Sequence, residues 1–152
     1  MTSASPAPAA KVHPRQALFE SGEVAPDLPV CDHYCGVEAR MRKSLEMQGD
    51  MGPVFDVTLD GEDGAPVGGE IEHAHLIAEL VNSPANRFGR VGARVQTVDH
   101  PAFEAMVDVV IGRAGPRLPY LMIPKPRHLQ DLERAIEVVD EASQRHGLDR
   151  EV

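Results

Sequence analysis

Four times along this chain a short apolar run gives way to a segment with the 3.6-residue apolar spacing of a helix. The runs fall at 28–35, 54–60, 90–95 and 118–124, and the helical segments at 37–51, 70–81, 100–114 and 128–146. Regular alternation of this kind leaves little choice of fold. Strands joined through a helix pair in parallel, and the crossover between them is right-handed. The expectation is a parallel α/β sheet of about four strand–helix units. In such a sheet the carboxyl ends of the strands carry the chemistry.

The second run sets the pattern. Val54-Phe55-Asp56-Val57-Thr58-Leu59 passes straight into Asp60-Gly61-Glu62-Asp63-Gly64-Ala65-Pro66. A buried strand thus ends in three carboxylates on a glycine-bearing turn. Acids this close repel one another and stay ionised only beside a cation, an arginine or several hydrogen-bond donors. Taken alone, such a turn reads first as a solvated acidic loop, and only second as a functional tip. The other tips bring the counter-charges. The third strand, Arg90-Val91-Gly92-Ala93-Arg94-Val95, places Arg94 inside an apolar run, which is costly unless it meets an acid or an anionic ligand. The fourth, Leu118-Pro119-Tyr120-Leu121-Met122-Ile123-Pro124, ends at Lys125, held between Pro124 and Pro126. Its continuous apolar character fits burial on both faces.

The first strand carries Cys31-x-His33-x-Cys35, and alternate strand residues share a face. That admits a metal reading, but no second ligand pair of the zinc type follows, and a small, partly buried strand end is the competing reading. In the helices, the expected buried faces are Val37, Met41, Ser44, Leu45 and Gln48; Ile71, Ala74, Ala78 and Val81; Phe103, Met106, Val107, Val110, Ile111 and Ala114; and Leu129, Leu132, Ile136, Val139 and Ala142. Asp99 is placed to cap the third helix. His73 and His75 are expected on the flanks of the second.

The 152 residues suffice for one ordinary domain, with 1–27 expected as an Ala/Pro/Ser-rich tail and N-terminal arm and 28–152 as the folded part. A net charge of −9 with no tryptophan argues against nucleic acid or an anionic membrane as the main partner. No apolar run is long enough to span a bilayer, no secretory leader is visible, and two cysteines make no disulfide framework. A cytoplasmic location is the expectation.

Three of these tips together resemble a known family. The stretch Phe55-Asp56-Val57-Thr58-Leu59-Asp60-Gly61-Glu62-Asp63-Gly64-Ala65 resembles the acidic strand of the citrate lyase β-subunit-like enzymes, of the HpcH/HpaI aldolase group that includes citryl-CoA and malyl-CoA lyases. Gly92-Ala93-Arg94-Val95-Gln96 resembles that family's Arg-Val-Asn strand, with Gln96 where Asn is usual, and Leu121-Met122-Ile123-Pro124-Lys125-Pro126 resembles its Pro-Lys strand. The resemblance runs in order from residue 28 to 146 and implies a (β/α)8 barrel of TIM type, here as its N-terminal half. It implies cleavage of a 3-hydroxy-acyl-CoA of citryl-CoA or malyl-CoA kind, with Mg²⁺ assistance, into an oxo-acid and an acyl-CoA. Arg94 would clamp the oxo-acid carboxylate. Glu62 and Asp63 would orient Arg94 and sit beside the metal and its waters, and Lys125 would form a wall of the substrate site. The family's metal-binding carboxylates come from later strands, so the metal ligands are expected beyond Val152. An open half-barrel would expose an apolar interior and self-associate as a homo-oligomer, with a catalytically inactive half-barrel or partner subunit as the alternative role.

Overall fold

A computed structural model describes residues 31–149. The expected tail and arm, residues 28–30 of the first run and residues 150–152 lie outside the described residues. The elements are β1 (Cys31–Cys35), α1 (Glu38–Met51), β2 (Phe55–Asp60), α2 (Glu70–Asn82), β3 (Val91–Arg94), α3 (Phe103–Ala114), β4 (Leu121–Met122) and α4 (Leu129–Arg145). The sheet runs β1-β2-β3-β4 with every pairing parallel. Because spatial order follows chain order, each right-handed crossover moves the same way and leaves its helix on the same face. This is one arc of a (β/α) barrel.

The pleat sorts the side chains. Phe55, Val57 and Leu59 of β2, with Val91 and Ala93 of β3, are buried against the helices. The register Thr58↔Gly92 and Asp60↔Arg94 then puts Asp56, Thr58, Asp60, Arg90, Gly92 and Arg94 on the open face, beside Asp32 and Tyr34 of β1. That face is polar rather than apolar, contrary to expectation. Thr58 donates to Asp32 Oδ2 at 2.7 Å, Tyr120 Oη lies 2.9 Å from Thr58 Oγ1, and Arg90 reaches Asp56 at 3.5 Å. The Tyr120 ring packs against Gly92, where any side chain would collide with it. Burial pushes the Tyr120 hydroxyl up to about 12.

Three elements depart from the sequence pattern. The fourth run keeps only Leu121–Met122 as strand. Pro119 and Pro124 have no amide to give, and the Leu118 amide turns back to the Gly115 carbonyl at 3.2 Å, closing a 3-10 turn over Gly115–Arg117. The run still accepts from β3, through Ala93 N to Tyr120 O at 3.3 Å and Val95 N to Met122 O at 3.2 Å. Helix α4 buries Ala135, Val138 and Ala142, while Leu129, Leu132 and Ile136 stay exposed. Helix α3 begins at Phe103 without Asp99 as its cap, and His100 Nδ1 accepts the Ala102 amide instead, at 3.1 Å. The expected stripe of α3 is buried in full.

Candidate active site

At the carboxyl end of the sheet, Asp60 closes β2 and Arg94 closes β3, directly side by side. Arg94 Nε donates to Asp60 Oδ1 at 2.8 Å and Nη2 to Oδ2 at 2.7 Å, a fork-to-fork pair. The chain then folds over its own carboxylate. The Glu62 amide donates to Oδ1 at 2.9 Å and the Gly64 amide to Oδ2 at 2.8 Å. Burial pushes the Asp60 carboxyl up, but the guanidinium and the two amides outweigh it and hold it below the usual range. Gly64 is required here, since a Cβ would run into the Asp60 carboxylate. Gly36, leaving β1, backs onto the Gly64 main chain with no room for a side chain. The exits of β1 and β2 are therefore in backbone contact.

Around this pair stands a second layer of charge. Glu62 has 6% of its side chain exposed, with Oε1 2.5 Å from Lys125 Nζ. Its Oε2 lies 3.1 Å from Arg94 Nη1 as an ion pair, with no hydrogen bond aligned on it. Asp63 takes Lys125 Nζ on both oxygens, at 2.8 and 2.7 Å, and this ammonium holds its carboxyl below the usual range. Lys125 itself has φ +49°, a left-handed backbone held between two prolines. The Arg94 guanidinium carbon lies 5.3 Å from the centre of the Tyr34 ring, whose hydroxyl donates to Met122 Sδ at 2.9 Å. Gln96 Nε2 donates to Gly61 O at 2.9 Å, and the Gly61 amide to Arg94 O at 2.8 Å, tying the two tips together. His73 donates from Nε2 to the Asp60 carbonyl at 2.9 Å.

Arg94, Glu62, Asp63 and Lys125 thus meet in one cluster. The residue that orients Arg94 is Asp60, with Glu62 alongside; Asp63 is engaged by Lys125 instead. The sequence marks Asp60 as one of the three tip carboxylates but gives the orienting of Arg94 to Glu62 and Asp63, and it does not mark Tyr34 or His73 as partners of this site. The period-2 placement of Asp56, Thr58 and Asp60 is the signal that sets Asp60 on the same face as Arg94. Of the Cys-x-His-x-Cys run, the Cys31 side chain lies outside the described residues. His33 Nδ1 and Cys35 Sγ both approach Ser44 Oγ of α1, at 3.1 and 3.4 Å, on the helix side of the sheet. Among the described residues no group of three His, Cys, Asp or Glu side chains is placed to hold a metal, and no helix is long and apolar enough to cross a membrane.

No family model and no curated protein sequence matches the chain. Its structure is similar to the crystal structure of a citrate lyase from Burkholderia xenovorans LB400, with a TM-score of 0.78 and 43% identity, over 86% of this chain and 41% of that one. The chain spans less than half the length of that citrate lyase. Over the matched residues it is citrate lyase-like.

Proposed function

We propose that this citrate lyase-like chain supplies the oxo-acid-binding wall of a carbon–carbon lyase acting on a 3-hydroxy-acyl-CoA of citryl-CoA or malyl-CoA type. The observation that carries the proposal is the way Arg94 is held. Asp60 occupies the Nε/Nη2 edge of the guanidinium, so the planar group cannot rotate, and the remaining N–H donors on Nη1 and Nη2 face the tip cluster. A guanidinium fixed along one edge offers the other to a carboxylate in bidentate geometry, which a mobile lysine does not. Lys125, with 55% of its side chain exposed, adds a second, adjustable positive charge at the rim. Arg94 would bind the oxo-acid carboxylate, Glu62 would yield Nη1 to it, and Tyr34 would floor the site.

The Mg²⁺ that the resemblance implies does not fit the described residues alone. Each oxygen of Asp60 already accepts two donors, and Glu62 and Asp63 are both drawn to the Lys125 ammonium. Two carboxylates already neutralised by an ammonium, with no third ligand group converging on them among the described residues, do not make a magnesium site. The proposal therefore assigns anion binding and orientation to this chain and routes no step through a metal.

Isothermal titration with glyoxylate and with oxaloacetate, each with and without Mg²⁺, tests the reading. Binding that weakens by about ten- to a hundredfold in Arg94→Ala, the range expected for losing a charged hydrogen-bond pair, supports it. Oxo-acid binding that survives Arg94→Ala unchanged removes the clamp role.

A further inference from the structure

Glu62 is fixed at every point but one. Its amide donates to Asp60 Oδ1 at 2.9 Å and its carbonyl accepts the Ala65 amide at 3.1 Å, so its main chain is held on both sides. Just before it, Gln96 Nε2 pins the Gly61 carbonyl at 2.9 Å. The side chain is anchored through Oε1, which lies 2.5 Å from the Lys125 ammonium. The other oxygen, Oε2, is shut away from water and lies 3.1 Å from Arg94 Nη1, yet no N–H is aligned on it. A shielded carboxylate oxygen without an aligned donor is costly.

Arg94 is incomplete at the same spot. Asp60 takes the Nε hydrogen and one on Nη2, which leaves Nη1 and the second Nη2 hydrogen along the outer edge of the guanidinium. Donors and an acceptor thus stand side by side without forming an aligned bond. A ligand that completes both must bring a planar pair of acceptors for the guanidinium and, on the adjoining atom, a donor for Oε2. A carboxylate with a hydroxyl on the next carbon meets both demands. A carboxylate with a keto group there does not. Its keto oxygen only accepts, and it would face the lone pairs of a carboxylate oxygen that also only accepts.

We propose that Glu62 Oε2 reads the hydroxyl of a 2-hydroxycarboxylate head group whose carboxylate sits on Arg94. This rests on the reading of Arg94 as a carboxylate clamp. In a 3-hydroxy-acyl-CoA of citryl-CoA or malyl-CoA type, the carbon that bears the hydroxyl also bears a carboxylate, so this head group is the part that cleavage consumes. Glu62 gives up its off-axis contact with Nη1 to the incoming carboxylate. It stays anchored on Lys125 and accepts the hydroxyl hydrogen at Oε2. The oxo-acid left after cleavage has no hydrogen to offer at that position. A site built to bond a hydroxyl discriminates against the analogue that lacks it. The uncleaved head group is therefore held more tightly than the oxo-acid, which favours release of the product. Glu62 is the residue that sets this preference, and Lys125 is the positioning residue behind it.

Ligand-observed NMR titration of the full chain in metal-free buffer tests it, with lactate and pyruvate as the two ligands. They match in size and charge and differ in hydroxyl against keto. The better-bound enantiomer of lactate should bind about ten- to a hundredfold more tightly than pyruvate, the range for a hydrogen bond to a charged group. Glu62→Gln, whose amide donates as well as accepts, should collapse that ratio towards unity. Lys125→Met, which releases Oε1, should lower it as well. The ratio is read within each variant, so a general loss of affinity does not mimic the effect. Pyruvate bound as tightly as lactate by the unaltered chain overturns the proposal, and so does a ratio that survives in both variants. In either case, binding of both acids that is lost in Arg94→Ala leaves the clamp standing. Binding of neither acid overturns the clamp and this proposal together.

Discussion

At the scale of single residues the molecule turns on one buried ion pair. Asp60 is nearly without solvent, and of its four donors the two on Arg94 are the ones that carry charge. Removing one partner of such a pair leaves the other uncompensated, which typically costs about 3–5 kcal/mol. Arg94→Ala should therefore lower stability by roughly that amount in urea unfolding. The Asp60 carboxyl should titrate upward in the same variant, and a carboxylate NMR titration in which Asp60 stays put would separate the two residues. The sign with pH follows from the same geometry. The folded-state value of Asp60 lies below its unfolded one. The stability it contributes is complete above the unfolded carboxylate value of about 3.9 and is lost as pH falls through the folded value. Melting temperature should drop on acidification below pH ~4, and less steeply in Asp60→Asn.

At the scale of elements, small residues decide what can lie next to what. The Tyr120 ring occupies the volume where Gly92 would carry a side chain, so β3 admits a tyrosine across the open face because it has no Cβ there. Gly92→Ala should cost about 1–3 kcal/mol in chemical denaturation by overpacking, with Tyr120 hydrogen bonding to Thr58 lost first. Why some of this could be read from the sequence and some could not comes down to which neighbours an element has. Helix α3 lies between α2 and α4, so its whole apolar stripe from Phe103 to Ala114 is buried, as its periodicity indicates. Helix α4 has a packed neighbour on one side. Its apolar arc is visible in the sequence, but nothing within the helix says that Ala135, Val138 and Ala142 would meet α3 while Leu129, Leu132 and Ile136 would not. The same limit explains the site. Arg94, Glu62, Asp63 and Lys125 stand out as charges at strand ends. Tyr34 and Tyr120 gain their places from the cross-strand register Tyr34↔Thr58↔Gly92, which no single strand encodes. The shortened β4 reflects prolines whose missing amides outweigh an apolar run.

For the molecule as a whole, net charge sets how copies meet in solution. Each chain carries −9, so two copies repel at long range. Added salt screens that repulsion, the Debye length being about 10 Å at 0.1 M. The repulsion between copies measured by light scattering should therefore fall as salt rises from low to moderate concentration. One further consequence comes from where the arginine's fixings sit. Asp60, the Glu62 and Gly64 amides, the Gly61 amide on Arg94 O and the Gln96 link all fall between β2 and the end of β3. The clamp is therefore a contiguous cassette of sequence. A recombination event, or an engineer cutting in the loops before β2 and after Gln96, would move the arginine together with the carboxylate and the amides that fix it, leaving Tyr34 and Lys125 to be supplied by the new barrel.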